Sequence, residues 1–284
     1  MPSLLRSAVV TIGNFDGVHR GHQFMLQQVV NRARELKVRS CVVTFNPDPI
    51  EVLRPELKPQ YLTEVDEKVR LMRGVGIDDV WVCQFDKDIA ALTPEAFLAL
   101  VGERHRIAEL WVGADFALGK GRSGNTEALA RIGRSSGWKL NVVKPLLEGR
   151  EPVSSTRIRE LLTQGDVEGA GELLGRPYTL TVDGESTNPR QFHVDARRAL
   201  PIPGIYAGYV EAGRQSGGAL VSITDDEARV FRLSWLETPP AVLKDRTRVE
   251  IRARLGDPTE DGEVPRGMIE RAQARQGRAM EAGA

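Results

Sequence analysis

The chain has 284 residues, of which 41% are hydrophobic and 27% charged, and its 39 basic side chains equal its 39 acidic ones. This length predicts two domains of about 100–200 residues each. The balanced charge excludes the broad positive field that holds nucleic acid or anionic membranes, so we expect neither as a partner. We find no apolar run near the ~20 residues of a membrane span and no basic leader with a cleavage site, and therefore predict a cytoplasmic protein.

From residue 7 to about residue 144, apolar β-rich runs alternate with amphipathic ones. The apolar runs are nearly continuous, which is typical of parallel strands covered on both faces. We predict strands at residues 8–12, 41–45, 80–85, 110–112 and 140–143. Helices are predicted at residues 24–36, 64–73, 96–101 and 126–134. This order predicts a doubly wound parallel α/β sheet, Rossmann-like, with ligands at the carboxyl ends of its strands.

Two cysteines, Cys41 and Cys83, each lie inside one of the predicted strands. Neither has a second cysteine or a histidine at metal-ligand spacing. We therefore predict two small core residues and no disulfide.

The first chemical motif follows the first predicted strand and reads I-G-N-F-D-G-V-H-R-G-H over residues 12–22. A strand, a tight loop and a helix start present unpaired N–H groups and a positive dipole end, which suit a phosphate. His19 and His22 stand at the helix entrance, where the dipole favours neutral imidazoles. A loop hydrogen bond for His19 and a helix cap for His22 are the alternative. Other candidate phosphate ligands are Gly13, Asn14, Phe15, Asp16 and Gly21.

Two further loops lie at predicted strand ends. Residues 46–49 read N-P-D-P, whose two prolines predict a non-helical loop that contains Asp48. Residues 112–125 contain four glycines, two basic side chains, Asp115 and Asn125. We predict phosphate or metal contact for this second loop, with a solvated flexible loop as the alternative.

A third motif reads V-S-S-T-R-I-R over residues 153–159. A single hydroxyl at a helix start is explained by capping. Three hydroxyls followed by two guanidinium groups are more than capping requires. Together they could donate hydrogen bonds to a triphosphate. The candidates are Ser154, Ser155, Thr156, Arg157 and Arg159.

These motifs resemble one family. The H-x-G-H pattern is similar to that of the cytidylyltransferase superfamily of nucleotidyltransferases, and G-N-F-D-G-V-H-x-G-H resembles the bacterial FAD synthetases, the riboflavin kinase/FMN adenylyltransferase family. Residues 154–159 resemble the S-S-T-x-I-R motif of the superfamily. Residues 112–124 resemble V-G-x-D-F-x-F-G-x-x-x-x-G, with Leu118 at the second aromatic position.

The resemblance implies transfer of an adenylyl group from ATP to FMN, giving FAD and pyrophosphate. It implies Mg²⁺ as cofactor, with metal ligands that the sequence leaves unknown. Asp48 stands where the family pattern F-x-P-H-P has histidine. The implied catalytic residues are His19, His22 and Arg157, and the implied flavin or nucleotide contacts are Asp48, Asp115 and Asn125.

A second domain is expected after G-R-P-Y at residues 175–178, which in the family marks the crossing into a riboflavin kinase barrel. Short β-rich stretches recur at residues 178–182, 191–194, 204–210, 219–223, 229–233 and 249–254, predicting a six-stranded antiparallel β-barrel. We thus predict domains at residues 1–175 and 176–265, followed by a partly disordered tail, 266–284.

The kinase signature is degenerate. The family motif G-F-P-T-A-N is missing, and Thr187-Asn188 is the nearest Thr-Asn pair. Val249-Glu250-Ile251 resembles the strand that carries the kinase's catalytic glutamate. We therefore expect FMN adenylyltransferase activity, with riboflavin kinase activity weak or absent. The alternatives are a bifunctional enzyme, a nucleotidyltransferase of the pantetheine-phosphate adenylyltransferase type, and a barrel that binds or senses flavin.

Overall fold

The computed structural model describes residues 6–182, 191–213, 215–224, 230–236, 247–257, 264, 267, 268, 270 and 271. Two compact units form: residues 1–59 with 64–153, and residues 60–63 with 154–284. The domain boundary at residue 175 stays a prediction. Thr187, Asn188 and most of the predicted tail lie outside the described residues. Within the described ranges, no helix has both the length and the apolar character needed to cross a membrane.

The first unit contains a five-stranded parallel sheet, which confirms the predicted fold class. The strand order is β3-β2-β1-β4-β7, so that the chain winds outwards in both directions from β1. In the register, Val10 of β1 lies beside Cys41 on one side and Leu110 on the other. The bounds are β1 Ser7–Ile12, β2 Arg39–Asn46, β3 Asp79–Gln84, β4 Arg106–Gly113 and β7 Lys139–Val143. Two short pairs complete the strands of the unit: β5 Ala117–Leu118 with β6 Gly124–Asn125, and β8 Leu147–Glu148 with β9 Glu151–Pro152.

Helices cover both faces of this sheet. Val9 and Val42 pack in one core with α1, while Val10 and Val43 pack in a second core with α5 and α6. This explains the continuous apolar runs, because successive residues of each strand point to opposite cores. The helices are α1 Arg20–Leu36, α2 Pro49–Leu53, α3 Val65–Val75, α4 Lys87–Ala91, α5 Pro94–Gly102 and α6 Thr126–Ser136.

Local signals explain most of the helix ends. Thr93 caps α5 by accepting a hydrogen bond from the Ala96 N–H, with Pro94 in the first turn, as the sequence predicts. Gly76 ends α3 at φ 105°, in the left-handed region. Cys41 and Cys83 are buried and free, and burial raises the pKa of the Cys41 thiol to about 12. Both cysteines are core residues, as predicted.

The prediction of a fully non-helical loop at residues 46–49 is wrong. The loop predicted at residues 46–49 is non-helical only as far as Asp48, because Pro49 begins the short helix α2. Asp48 and Glu51 form a capping box, in which each side chain accepts a hydrogen bond from the other's backbone N–H. Proline at the first helical position lacks an N–H that would have no partner there anyway.

The second unit contains helices α7 Ser155–Gln164 and α8 Val167–Leu174 and an antiparallel sheet. Six strands pair in the order β10-β15-β12-β13-β14-β11, as expected of the predicted barrel domain. Their bounds are β10 Tyr178–Val182, β11 Gln191–His193, β12 Gly204–Ala212, β13 Gln215–Ile223, β14 Val230–Trp235 and β15 Thr247–Gly256.

Candidate functional site

The loop between β1 and α1 is a compact turn with little room for side chains. Phe15 is buried at φ 54°, Gly17 follows at φ 83°, and the Val18 N–H donates to the Phe15 carbonyl at 3.0 Å. A Cβ at Gly13 would lie 3.1 Å from the Phe15 ring. Glycine at residues 13 and 17 therefore lets the chain turn tightly in front of the helix. We name residues 13–22 the phosphate loop.

Two histidines stack at the start of α1. His19 is the cap residue, and its Nδ1 accepts a hydrogen bond from the His22 backbone N–H at 3.3 Å. The two rings stack at 3.6 Å, and Phe15 packs edge-on against His22 at 5.2 Å. A Cβ at Gly21 would come within 3.1 Å of His19 Nδ1 and of the Val153 carbonyl. His19 thus takes the capping role that the alternative interpretation gave to His22.

One ring nitrogen of His22 has no hydrogen-bond partner in the part of the chain that the structure describes. This nitrogen is Nδ1, which is buried. Burial, together with His19 and the nearby Lys68 ammonium, holds the pKa of His22 well below 6.5. The imidazole is therefore neutral, as predicted, and can donate one N–H bond at the positive end of a helix.

We expect the His22 imidazole to stay neutral at pH 6.0, where a free imidazole is mostly protonated. Because the folded pKa lies below the unfolded value, the unfolded chain takes up the proton first, and stability falls as the pH drops below about 6.5. ¹⁵N NMR of histidine-labelled protein measures the protonation directly. A His22 midpoint at pH 6.5 or above would contradict this expectation.

Lys68 is a buried lysine on α3, with 5% of its surface exposed. Its Nζ donates to the Asn14 carbonyl at 2.9 Å and lies 3.4 Å from the Phe45 carbonyl and 3.5 Å from Asn14 Oδ1. Thr44 Oγ1 donates to the same Asn14 carbonyl at 3.0 Å. Burial lowers the pKa of Lys68. The side chain therefore connects the phosphate loop to the end of β2.

Asp48, which follows β2, also contacts the phosphate loop. One carboxylate oxygen accepts a hydrogen bond from the Asn14 side-chain amide, and the other accepts one from the Ile50 N–H at 2.9 Å. Asp48 is half-buried, whereas a second carboxylate, that of Asp16 in the turn before α1, is buried with 5% of its surface exposed. Both carboxylates attract the Lys68 ammonium, which offsets part of the effect of its burial. Asp48 thus has a structural role at the place of the family histidine.

An apolar pocket of about 320 Å³ lies beside the end of β2. Phe45 is its central ring, 5.4 Å from Phe85 and 6.0 Å from Phe97 between centroids. Phe45, Phe85 and Phe116 come from the carboxyl ends of β2, β3 and β4, the edge where ligands bind in open α/β sheets. The remaining lining residues are Pro49, Leu53, Ile89, Ala90, Ala117, Leu118, Gly119, Gly121 and Arg122.

The loop after β4 forms one wall of this pocket. Arg122 lines the pocket and donates to the Asp115 carbonyl at 2.9 Å, so that the loop is closed by its own contacts. Asn125 caps α6 by accepting a hydrogen bond from the Ala128 N–H at 2.9 Å. Ligand contact by Asp115 and Asn125 stays a prediction.

The hydroxyl and arginine motif forms the start of α7, in the second unit. Ser154 Oγ accepts a hydrogen bond from the Arg157 N–H at 3.3 Å and thereby caps the helix. Arg159 Nε donates to the Gln60 carbonyl at 2.6 Å. Capping explains Ser154, whereas Ser155, Thr156 and the two arginines remain candidates for phosphate binding.

Among the described residues, one group of three side chains could hold a metal ion: Cys41, Asp79 and His105. It lies at the amino end of the sheet, opposite the phosphate loop. His105 Nε2 and Asp79 Oδ2 are 2.6 Å apart, which makes them partners of each other. Burial keeps the Cys41 thiol protonated at neutral pH, since its pKa is about 12. We therefore interpret this group as structural.

Comparison with known proteins agrees with the motifs. Residues 1–157 match the family model described as FAD synthetase. A relative from Escherichia coli K12, named bifunctional riboflavin kinase/FMN adenylyltransferase, is 35% identical over 70% of this chain and 66% of its own length. A relative of the same name from Pseudomonas fluorescens is 34% identical over 77% of this chain and 73% of its own.

A solved structure shows the same fold. It is titled as a macrolide-efflux protein from Streptococcus pneumoniae and superposes with a TM-score of 0.81 over 98% of this chain and 93% of that one. At 24% identity this likeness shows the fold alone. Three observations point to one family. They are the order of the motifs, the parallel sheet with its phosphate loop, and the match over residues 1–157. The chain belongs to the FAD synthetase family.

Proposed function

We propose that this chain is an FMN adenylyltransferase, which joins the AMP part of ATP to the phosphate of FMN and releases pyrophosphate. The observation that carries this proposal is the pairing of a phosphate loop with an apolar, phenylalanine-lined pocket. The two are joined by the contacts of Asn14 with Asp48 and of Lys68 with Phe45. The names of the relatives from Escherichia coli and Pseudomonas fluorescens support the same reaction.

The phosphate loop would bind the α-phosphate of ATP. Its N–H groups and the positive end of α1 favour an anion. A phosphate oxygen of FMN would attack the α-phosphorus in line, and the neutral His22 would donate an N–H bond to the transferring group. His19 caps the helix and stacks on His22, so it fixes the orientation of that ring. Such donors accelerate the reaction because they bind the transition state more strongly than the ground state.

The apolar pocket would hold the isoalloxazine ring of FMN. A flat aromatic ring system gains from burial and from stacking on the phenylalanine rings of the wall. The FMN phosphate would then point towards the phosphate loop, which follows the neighbouring strand β1. When both substrates are held in this arrangement, the attacking oxygen is already oriented towards the α-phosphorus, which lowers the barrier of the reaction.

Residues 154–159 would bind the leaving pyrophosphate. Their support is chemical: the start of α7 offers backbone N–H groups, the hydroxyls of Ser155 and Thr156, and two guanidinium groups. Arg157 would stabilise the negative charge that develops on the leaving group. Arg159, in the same helix, would supply a second positive charge.

Mg²⁺ is the ion that commonly accompanies ATP. It keeps several waters and uses one or two carboxylates besides the substrate phosphates, so the buried carboxylate of Asp16 in the phosphate loop fits it. We propose Asp16 as its protein ligand. When bound, the ion would neutralise part of the charge of the triphosphate.

The barrel, we propose, does not phosphorylate riboflavin. Glu250, which resembles the catalytic glutamate of the kinase, accepts hydrogen bonds from Arg252 at 2.8 and 3.1 Å and lies 3.7 Å from Arg248. These contacts with two arginines occupy the carboxylate, so it is not free to accept a proton from a substrate hydroxyl. As an alternative function, the barrel would bind flavin without catalysing a reaction. The phosphorylated substrates support the predicted cytoplasmic location.

Product analysis by HPLC tests this function with three substrate pairs. We expect FMN with ATP to give FAD, and riboflavin with ATP to give neither FMN nor FAD. We expect 4′-phosphopantetheine with ATP to give no dephospho-coenzyme A. Formation of FMN from riboflavin would establish the bifunctional alternative, and lack of FAD in the first mixture would refute the proposal.

A further inference from the structure

Lys68 takes part in no motif of the sequence, yet it lies between the two halves of the proposed site. We infer that Lys68 is a positioning residue for adenylyl transfer, whose ammonium group fixes the phosphate loop relative to the wall of the flavin pocket. This inference rests on the proposed function and adds a residue to it.

The contacts of Lys68 are all with groups that shape the site. Its shortest hydrogen bond, 2.9 Å, holds the Asn14 carbonyl, at the second residue of the phosphate loop. Its contact of 3.4 Å with the Phe45 carbonyl reaches the residue whose ring is central to the pocket. Since one ammonium contacts both loops, removing it would let each loop move relative to the other.

Asn14 is held from three directions, and this makes its position depend on Lys68. Its carbonyl accepts from Lys68 and Thr44, and its side-chain amide donates to Asp48. Without the ammonium, the carbonyl keeps one donor, and the buried Asp16 and the half-buried Asp48 lose their nearby cation. A displacement of about 1 Å at such a point is enough to reduce a rate about 100-fold.

A purely structural role does not require a lysine here. Lys68 lies four residues before Met72, which is fully buried, on the inward face of α3. An apolar side chain at this place would fill the core without burying a charge, and burial of an ammonium group opposes folding. The nearby carboxylates and carbonyls offset the cost of burying the ammonium group. They converge on one point, which lies beside the proposed substrates.

The test compares Lys68→Met with Arg70→Met, a matched change at an exposed position of the same helix whose side chain is 59% exposed. Circular dichroism establishes the melting temperature of each variant, and all assays are run below the lower one. We expect kcat for FAD formation to fall at least tenfold in Lys68→Met, with KM for ATP and for FMN within about threefold of wild type. Arg70→Met should match wild type.

Chemical rescue separates the charge from the packing. Lys68→Ala leaves space for a small amine, so propylammonium chloride should restore at least part of kcat in a saturable manner, while tetramethylammonium chloride at equal ionic strength should not. Lack of rescue in folded Lys68→Ala, or wild-type kcat in Lys68→Met, would overturn the role of Lys68 and leave FAD formation by the wild type intact. Absence of FAD from the wild type would overturn both proposals.

Discussion

Replacing His22 with alanine is expected to lower kcat for FAD formation at least tenfold. His22 supplies a neutral N–H donor at the start of α1, and its buried Nδ1 has no partner among the described residues. Removing one preorganised donor to a developing negative charge commonly reduces turnover by about 10²–10³. Steady-state kinetics with FMN and ATP measure the effect.

Two further variants make this test specific. His22→Asn keeps a side-chain N–H donor and should retain more turnover than alanine. His193→Ala removes an exposed histidine of the barrel and should leave kcat unchanged. Near-normal turnover in His22→Ala would remove the imidazole from the reaction and with it the assignment of the phosphate loop.

Replacing Ala90 with tryptophan is expected to raise KM for FMN at least tenfold. Ala90 lines the apolar pocket, so a large ring at this position would occupy the space proposed for isoalloxazine. A tenfold loss of affinity corresponds to about 1.4 kcal/mol, a modest effect for a ligand excluded from its pocket. KM for ATP should remain near the wild-type value, because the phosphate loop is not altered.

Ala91→Trp is the matched control for this change. Ala91 follows Ala90 on the same short helix, is exposed, and does not line the pocket. It should leave both KM values unchanged. Equal effects of the two tryptophans would point to damage of α4, and an unchanged KM for FMN in Ala90→Trp would contradict the place of the flavin ring.

The strands and most helices could be predicted because their signals are local. Each strand of the sheet is a nearly continuous apolar run, and Thr93-Pro94 marks the start of α5. The amphipathic pattern begins at residue 24, four residues after the start of α1 at Arg20, because histidine is an unusual cap. The two prolines around Asp48 predict a loop, although the second of them suits the first position of the helix that begins there.

The apolar pocket and the place of Lys68 could not be predicted in the same way, because they depend on contacts between distant segments. Signals were nevertheless present. Phe45, Phe85 and Phe116 each lie at or just after the end of a strand, and such ends meet at one edge of a parallel sheet. A lysine four residues before a buried methionine on an amphipathic helix is likewise unusual.

The central claim is the transfer of AMP to FMN, and isotope transfer tests it most directly. With ATP labelled at the α-phosphate, we predict that the label appears in FAD and that pyrophosphate forms in equal amount. Label that remains in ATP or ADP during incubation with FMN, with no labelled FAD, would contradict this account.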